Sequence, residues 1–294
     1  MLPEIAGRKG EGGKRLAVRG EFGNRRKPLL SVVTICLNCG DQLQKTIESV
    51  LQWPADQIEY IIIDGGSEDL TIDLLRAHDS RLEYWVSEPD AGISDAFNKG
   101  ISLCRGAVIG LLNAGDWYES DTLQVLQEEF SGDAATQPGV LCGRMQFWSG
   151  REKAYCTDSI PALLPKDMTV AHPSCFVKSS VYHRFGGFNP EFRLAMDYEL
   201  LLRLFTCGVA FARTRSVLTN MQHDGISEQH WQKALHETHR ARQQYLPRSF
   251  YAGGIYLQYL MARRSIRFCL QSLGLFGLIR FYRKHIAAVQ KVKT

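Results

Sequence analysis

Residues 82–118, LEYWVSEPDAGISDAFNKGISLCRGAVIGLLNAGDWY, constrain the fold of this chain more than any other stretch. An apolar run (Leu82–Val86) enters a loop carrying Glu88 and Asp90. A segment opening on Gly92 and running to Cys104 has the apolar spacing of an amphipathic helix. A second apolar run, Ala107–Leu112, stops at Asn113-Ala114-Gly115-Asp116. A strand that is apolar along its whole length is buried on both faces, as parallel strands are. A carboxylate one turn past its end stands at the carboxyl rim of the sheet, where α/β proteins bind ligands. Asp116 is therefore suited to holding a divalent cation against a diphosphate.

The same alternation precedes it. Leu29–Leu37 reads as a first strand, Asp41–Gln52 as an amphipathic helix with Leu43, Ile47, Val50 and Leu51 on its apolar side. Ile58–Ile63 is a second strand ending at Asp64, followed by a Gly65-Gly66-Ser67 turn. Ser67 or Asp69 can cap the next helix, which runs to about Ala77. This order predicts an α/β fold with a mostly parallel sheet and right-handed crossovers. No G-x-G-x-x-G occurs, which argues against a dinucleotide site. Beyond Asp121 the pattern loosens: a helix near Thr122–Phe130, a strand near Val140–Trp148, a loop to about Asp167, a strand begun by His172–Phe176, a turn at Gly186–Phe188 and a helix over Asp197–Cys207.

Charge is segregated. Residues 1–27 hold eight Lys/Arg and three acids, residues 28–237 hold 16 basic and 28 acidic side chains, and residues 238–294 hold 11 basic and no acidic ones. An acidic body argues against nucleic acid as a partner, and a basic tail argues for an anionic surface such as a membrane. Residues 1–27, rich in Gly and Arg, read as a disordered basic tail without a signal peptide. In the tail, two uncharged apolar runs, Ser249–Ala262 and Phe268–Ile279, flank Arg263, Arg264 and Arg267; each is shorter than the ~20 residues that span a bilayer. They suggest an interfacial amphipathic anchor, with a helical cap packed on the domain as the alternative. The eight cysteines lie mostly in apolar segments and read as reduced, buried thiols; Cys36-x-x-Cys39 lacks the second pair of a zinc site.

LLSVVTICLN (29–38), YIIIDGGSEDLT (60–71), SEPDAGISDAFNKGI (87–101), LLNAGDWY (111–118), HPSCF (172–176) and AMDYELLLRL (195–204) occur in the order and spacing of the family 2 glycosyltransferases, which the chain resembles over roughly residues 29–230. The resemblance implies a GT-A fold over residues 28–237, with a nucleotide-sugar half (28–120), an acceptor half (121–237) and the basic helical extension 238–294. It implies Thr34, Asn38, Asp64 and Ser67 around the nucleotide, Asp64 on the base or ribose. Asp90, Asp95, Asn98 and Asn113 become donor-side candidates. In the family two adjacent acids usually stand where this chain has Gly115-Asp116, so Asp116 alone carries the Mg²⁺ or Mn²⁺. His223 is a candidate third ligand. Asp197 occupies the family's catalytic-acid position and is the expected general base, with Glu199 the second acid of that motif. His172 belongs to the acceptor or diphosphate side.

Each of these residues has a purely structural alternative: Asp64 organising its turn, Asp90 or Asp197 capping a helix, His172 packing in the interior, His223 on a surface loop. The resemblance implies an inverting hexosyltransfer from a nucleoside-diphosphate sugar to a saccharide hydroxyl. The basic tail adds a lipid-linked acceptor, at the cytoplasmic face of a membrane in cell-surface polysaccharide assembly. A non-catalytic scaffold or sugar-binding subunit of the same fold is the alternative that Gly115 supports. A sugar-phosphate nucleotidyltransferase would need a basic, Gly-rich loop after the first strand, and Cys36–Asp41 is not one.

Overall fold

The computed structural model describes residues 1–17, 27–133, 136–222, 230–275 and 291–292. In chain order the first half comprises β1 (Gly10–Gly12), α1 (Lys14–Ala17), β2 (Leu30–Cys36), α2 (Gly40–Leu51), β3 (Ile58–Asp64), α3 (Thr71–Ala77), β4 (Tyr84–Ser87), α4 (Ile93–Leu103), β5 (Val108–Asn113) and β6 (Trp117–Tyr118). The second comprises α5 (Thr122–Glu129), β7 (Val140–Ser149), β8 (Glu152–Thr157), β9 (Cys175–Lys178), α6 (Ser179–Phe185), α7 (Met196–Thr206), β10 (Phe211–Gln222), α8 (Trp231–Tyr245), α9 (Gly254–Ser272) and β11 (Lys291–Val292).

The sheet runs β1-β4-β3-β2-β5-β9-β7-β10-β6, with β8 on β7 and β11 on β8. Strands β4, β3, β2 and β5 are parallel, while β9 enters antiparallel between β5 and β7. The parallel strands are buried along their length because both faces are covered. Alternate side chains divide between two cores: Val33, Ile61 and Leu111 face α4 and α7, while Val32, Ile62 and Leu112 face α2, α3 and α5. The parallel strands β4, β3, β2 and β5 are those that the alternation predicts.

Residues 1–17 depart from the expected disordered tail. β1 pairs antiparallel with β4, Gly10 opposite Ser87 and Gly12 opposite Trp85. A Cβ on Gly12 would collide with the Trp85 indole and with Asp79 Oδ1, so glycine is what lets the strand lie on the tryptophan. Behind it, Arg15 is buried: its Nη2 donates to Glu59 Oε1 (2.5 Å) and to the Leu103 carbonyl (2.8 Å). Composition suggested disorder because the apolar surface this segment covers belongs to other elements. Residues 18–26 lie outside the described residues.

Two further differences concern the second half. The stretch expected as a loop to Asp167 begins with β8, hairpinned on β7. In the tail, α9 runs unbroken through Arg263 and Arg264, which composition suggested as a gap between two runs. The end of the second run, residues 276–279, lies outside the described residues. Among them, no helix is long and apolar enough to cross a membrane.

Candidate active site

The strand register sets Asn113, Cys36, Asp64 and Ser87 in or beside one row at the carboxyl rim: Ile35 pairs with Asn113, Cys36 with Asp64, and Asp64 with Ser87. Asp64 is fully buried. Its Oδ2 accepts from the Ser67 and Gly66 amides (2.8 and 3.2 Å) and from the Ser87 hydroxyl (2.6 Å). Its Oδ1 accepts from the Ser67 hydroxyl and the Cys36 thiol. Five donors saturate a carboxylate, so Asp64 shapes the 64–67 turn from within rather than presenting an oxygen to a ligand. Ser67, also buried, accepts from the Asn38 amide (2.7 Å). Asn38 holds a left-handed backbone (φ 49°) and accepts from the Glu68 amide (2.8 Å). The turns after β2 and β3 are thus one hydrogen-bonded unit. The Thr34 hydroxyl lies in the core, 3.0 Å from that of Tyr60, so this expected nucleotide contact is a core residue.

The exposed face of this unit is framed by Leu37, Gly65 and Asp90. Asp90 Oδ1 accepts from the Gly92 amide (2.8 Å), while its Oδ2 lies 2.7 Å from where a Gly65 Cβ would stand. The exposed Leu37 borders the same spot. Asp95 accepts from the Ala91 amide (3.0 Å) and pairs with Lys99 (3.4 Å). Amides at the mouth of α4 are therefore met by the chain's own carboxylates. Asn98 is not a donor-side residue: its amide bridges both the N–H and the C=O of Phe188 (2.8 and 2.9 Å).

Sequence reasoning missed the group beneath this loop. Glu88 is buried and holds Arg8 (Nη2, 2.6 Å) on one side and Lys99 (3.0 Å) on the other. Lys9 donates to the carbonyls of Gly66 and Ser67 (2.9 and 3.2 Å). The N-terminal segment thus braces both loops that frame the rim. Its only local signal was the pairing of glycines with basic residues.

Asp116 closes the row. Gly115 turns the chain at φ +94°; its amide donates to the Thr46 hydroxyl (2.9 Å), which donates to the Asp116 carbonyl (2.7 Å), so α2 pins the turn. The Asp116 carboxylate is buried and accepts from the Asn113 amide at 3.4 Å. Burial outweighs this weak bond and pushes its pKa up to about 7. A buried carboxylate with so little compensation is chemically fitted to a cation, and the Asn113 oxygen type beside it is compatible with Mg²⁺ or Mn²⁺. Among the described residues no three His, Cys, Asp or Glu side chains converge as a complete ligand set. A cation here would draw its remaining ligands from phosphate or water. His223 lies outside the described residues. Next to Asp116, Trp117 tilts against Trp148 (centroids 5.7 Å), with the Lys45 ammonium 2.9 Å from the Trp117 ring centre.

β9 brings the acceptor side to the same place. It pairs with β5 (Val108 opposite Lys178, Gly110 opposite Phe176), and the 3-10 turn His172–Ser174 that leads into it lies against β5. The half-buried His172 ring meets Phe97 and Phe188 edge-on at 6.1 and 5.6 Å. Desolvation lowers its pKa and the nearby Asp197 charge opposes this, leaving a neutral imidazole at neutral pH. Asp197 is half-buried in the first turn of α7, where the helix dipole favours an anion. Its Oδ1 accepts from the Tyr198 amide (2.8 Å). His172 thus connects the β5 rim to Asp197. Glu199 does not join them: fully buried, it binds Arg203 Nε (2.8 Å) and the Tyr245 hydroxyl (2.5 Å). Arg203 in turn holds the carbonyls of Phe185 and Gly187. Glu199 is a core ion-pair residue.

The model of the family described as "Glycosyl transferase family 2" matches residues 31–186. An uncharacterized glycosyltransferase of Mycobacterium tuberculosis is 32% identical over 187 residues, covering 60% of this chain and 68% of the relative. Escherichia coli chondroitin synthase is 26% identical over 198 residues; these cover 63% of this chain but 27% of the synthase. Among solved structures, Staphylococcus aureus TarS 1–349 in complex with UDP-GlcNAc superposes with a TM-score of 0.59 at 12% identity (74% of this chain, 67% of that one). The mannosyltransferase PcManGT of Pyrobaculum calidifontis, in complex with GDP-Man and Mn²⁺, does so at 0.52 and 15% (87% and 85%).

Proposed function

Because this chain belongs to glycosyl transferase family 2 and is a glycosyltransferase, we propose that it moves a sugar, with inversion, from a nucleoside-diphosphate sugar to a hydroxyl of a saccharide acceptor. The observation that carries this reading is Asp116, a buried, under-compensated carboxylate at the carboxyl rim beside the turn that Asp64 organises. The nucleotide base rests on Leu37 and Gly65 with Asp90 at its edge. Asp116 and Asn113 would hold a divalent cation, which would supply the positive charge that a departing diphosphate needs.

On the acceptor side Asp197 is the general base. With Oδ1 engaged by the Tyr198 amide, Oδ2 takes the proton of the attacking hydroxyl. His172, close enough to Asp197 to feel its charge, orients the acceptor. Attack opposite the diphosphate inverts the anomeric centre. A lipid-linked saccharide at the inner face of a membrane, in cell-surface polysaccharide assembly, is the acceptor that the basic, partly apolar segment 238–294 supports.

Calorimetric titration with UDP, GDP, CDP and dTDP, with and without Mn²⁺, tests the assignment. One nucleotide should bind in a metal-dependent way, and Asp116→Asn should weaken it by at least about tenfold. Asp197→Asn should keep that affinity and lose about 10²–10⁴-fold in transfer rate. Full transfer by Asp197→Asn would refute the base. Nucleotide binding without transfer by the wild type would favour the non-catalytic reading that Gly115 supports.

A further inference from the structure

Helix α9 buries one side and leaves the other bare. Against α8 and its neighbours, Leu260 is buried, the Tyr256 hydroxyl donates to the Lys166 carbonyl (3.0 Å), and the Arg264 guanidinium lies 5.8 Å from the Trp231 ring centre. On the opposite side Ile255, Tyr259, Ala262, Ile266, Cys269 and Leu273 are all exposed, Ile255 by 75% and Leu273 by 70%. Steps of four and three residues put the first five on one line along the helix, and Leu273 follows directly after its end. Phe250, 68% exposed, precedes it.

A line this narrow suits either the same line on a second copy, as in a coiled coil, or the surface of a bilayer. Charge decides between them. Residues 238–294 carry 11 Lys/Arg and no acid. Pairing two copies would set like charges together with no acidic flanking residues to match them. Of those basic residues, Arg242 is buried and Arg263 pairs with Asp167 (3.9 Å), and an anionic bilayer supplies countercharge to the segment as a whole. Tyr259 and Phe250 carry rings that suit the interfacial zone. We propose that α9 lies flat on an anionic phospholipid surface with this line among the outer acyl segments. This docking rests on the membrane-side reading of the tail and names the surface that performs it.

Flotation of the full chain with vesicles tests it. The wild type should float with phosphatidylcholine–phosphatidylglycerol vesicles, much less with phosphatidylcholine alone, and less in molar salt. The doubly substituted Ile255→Glu, Ile266→Glu chain should partition at least about tenfold more weakly. Both positions face away from α8, so its melting temperature should match the wild type. Wild-type levels of flotation by that variant, or no flotation by the wild type, would overturn the proposal. So would light scattering that finds a wild-type dimer which the two glutamates dissolve, since the line would then bind itself. Nucleotide titration on the same samples keeps the two readings apart: flotation without nucleotide binding would count against the glycosyl-transfer site and leave the docking face standing.

Discussion

At the scale of single residues, Asp116 makes the most testable demand. Burial raises its pKa to about 7 in the folded chain, while unfolded it ionises near the ordinary aspartate value. Between those two pH values the folded state holds the extra proton, so stability falls as pH rises through this window and levels off above about pH 7. Metal and nucleotide loading, which needs the anion, should strengthen with pH over the same range. Titration at about pH 6 in two buffers of different ionisation heat should show release of close to one proton per site, and at about pH 8 close to none. Asp116→Asn should remove that difference and melt higher than the metal-free wild type at alkaline pH. Proton release that is the same at both pH values would contradict the assignment. That Asp116 follows a strand and Asp197 lies in the first turn of a helix was legible in the sequence, because strand ends and helix starts are local features. The places of Thr34, Asn98 and Glu199 were not, because their partners Tyr60, Phe188 and Tyr245 are 26, 90 and 46 residues away. Side-chain motifs do not reveal which hydrogen bonds are already taken.

At the scale of elements, the N-terminal strap is an added part with an identifiable task. Arg8 donates through Nε and Nη2 to Glu88 Oε2 (2.8 and 2.6 Å), and Glu88 underlies the loop that carries Asp90. Arg8→Ala leaves Glu88 with Lys99 as its remaining cation. Donor KM should rise roughly three- to tenfold with kcat near wild type, and Arg8→Lys should recover part of the loss. A general loss of stability would lower kcat as well, so the split between the two constants is the measurement. Unchanged KM in Arg8→Ala would show that the strap does not act on the donor loop. Strands β2 to β5 could be read directly because each is a continuous apolar run. β10, FARTRSVLTNMQ, could not: it is part-exposed over much of its length and gains its identity from lying along β7. α9 was read as two pieces because arginine interrupts its hydropathy, yet Arg264 rests on an aromatic ring and leaves the backbone undisturbed.

At the scale of the whole molecule, the sheet interleaves the two halves of the chain. β9, from the second half, lies on β5, from the first, and β6 is held by β10. Phe176 of β9 packs against Tyr118 (5.3 Å), which stacks on Trp53 (5.5 Å). Residues 28–120 expressed alone should therefore show no cooperative thermal transition, and a sharp one by circular dichroism would contradict this topology. The segregation of charge, by contrast, was fully present in the sequence.

Gly115 bends the rim at φ +94°, a conformation that costs other residues about 1–2 kcal/mol. With its amide fixed to Thr46, a single codon change to an acid, Gly115→Asp, would meet a strained backbone rather than a waiting ligand position. The flexible Gln42 side chain can move aside; the turn cannot.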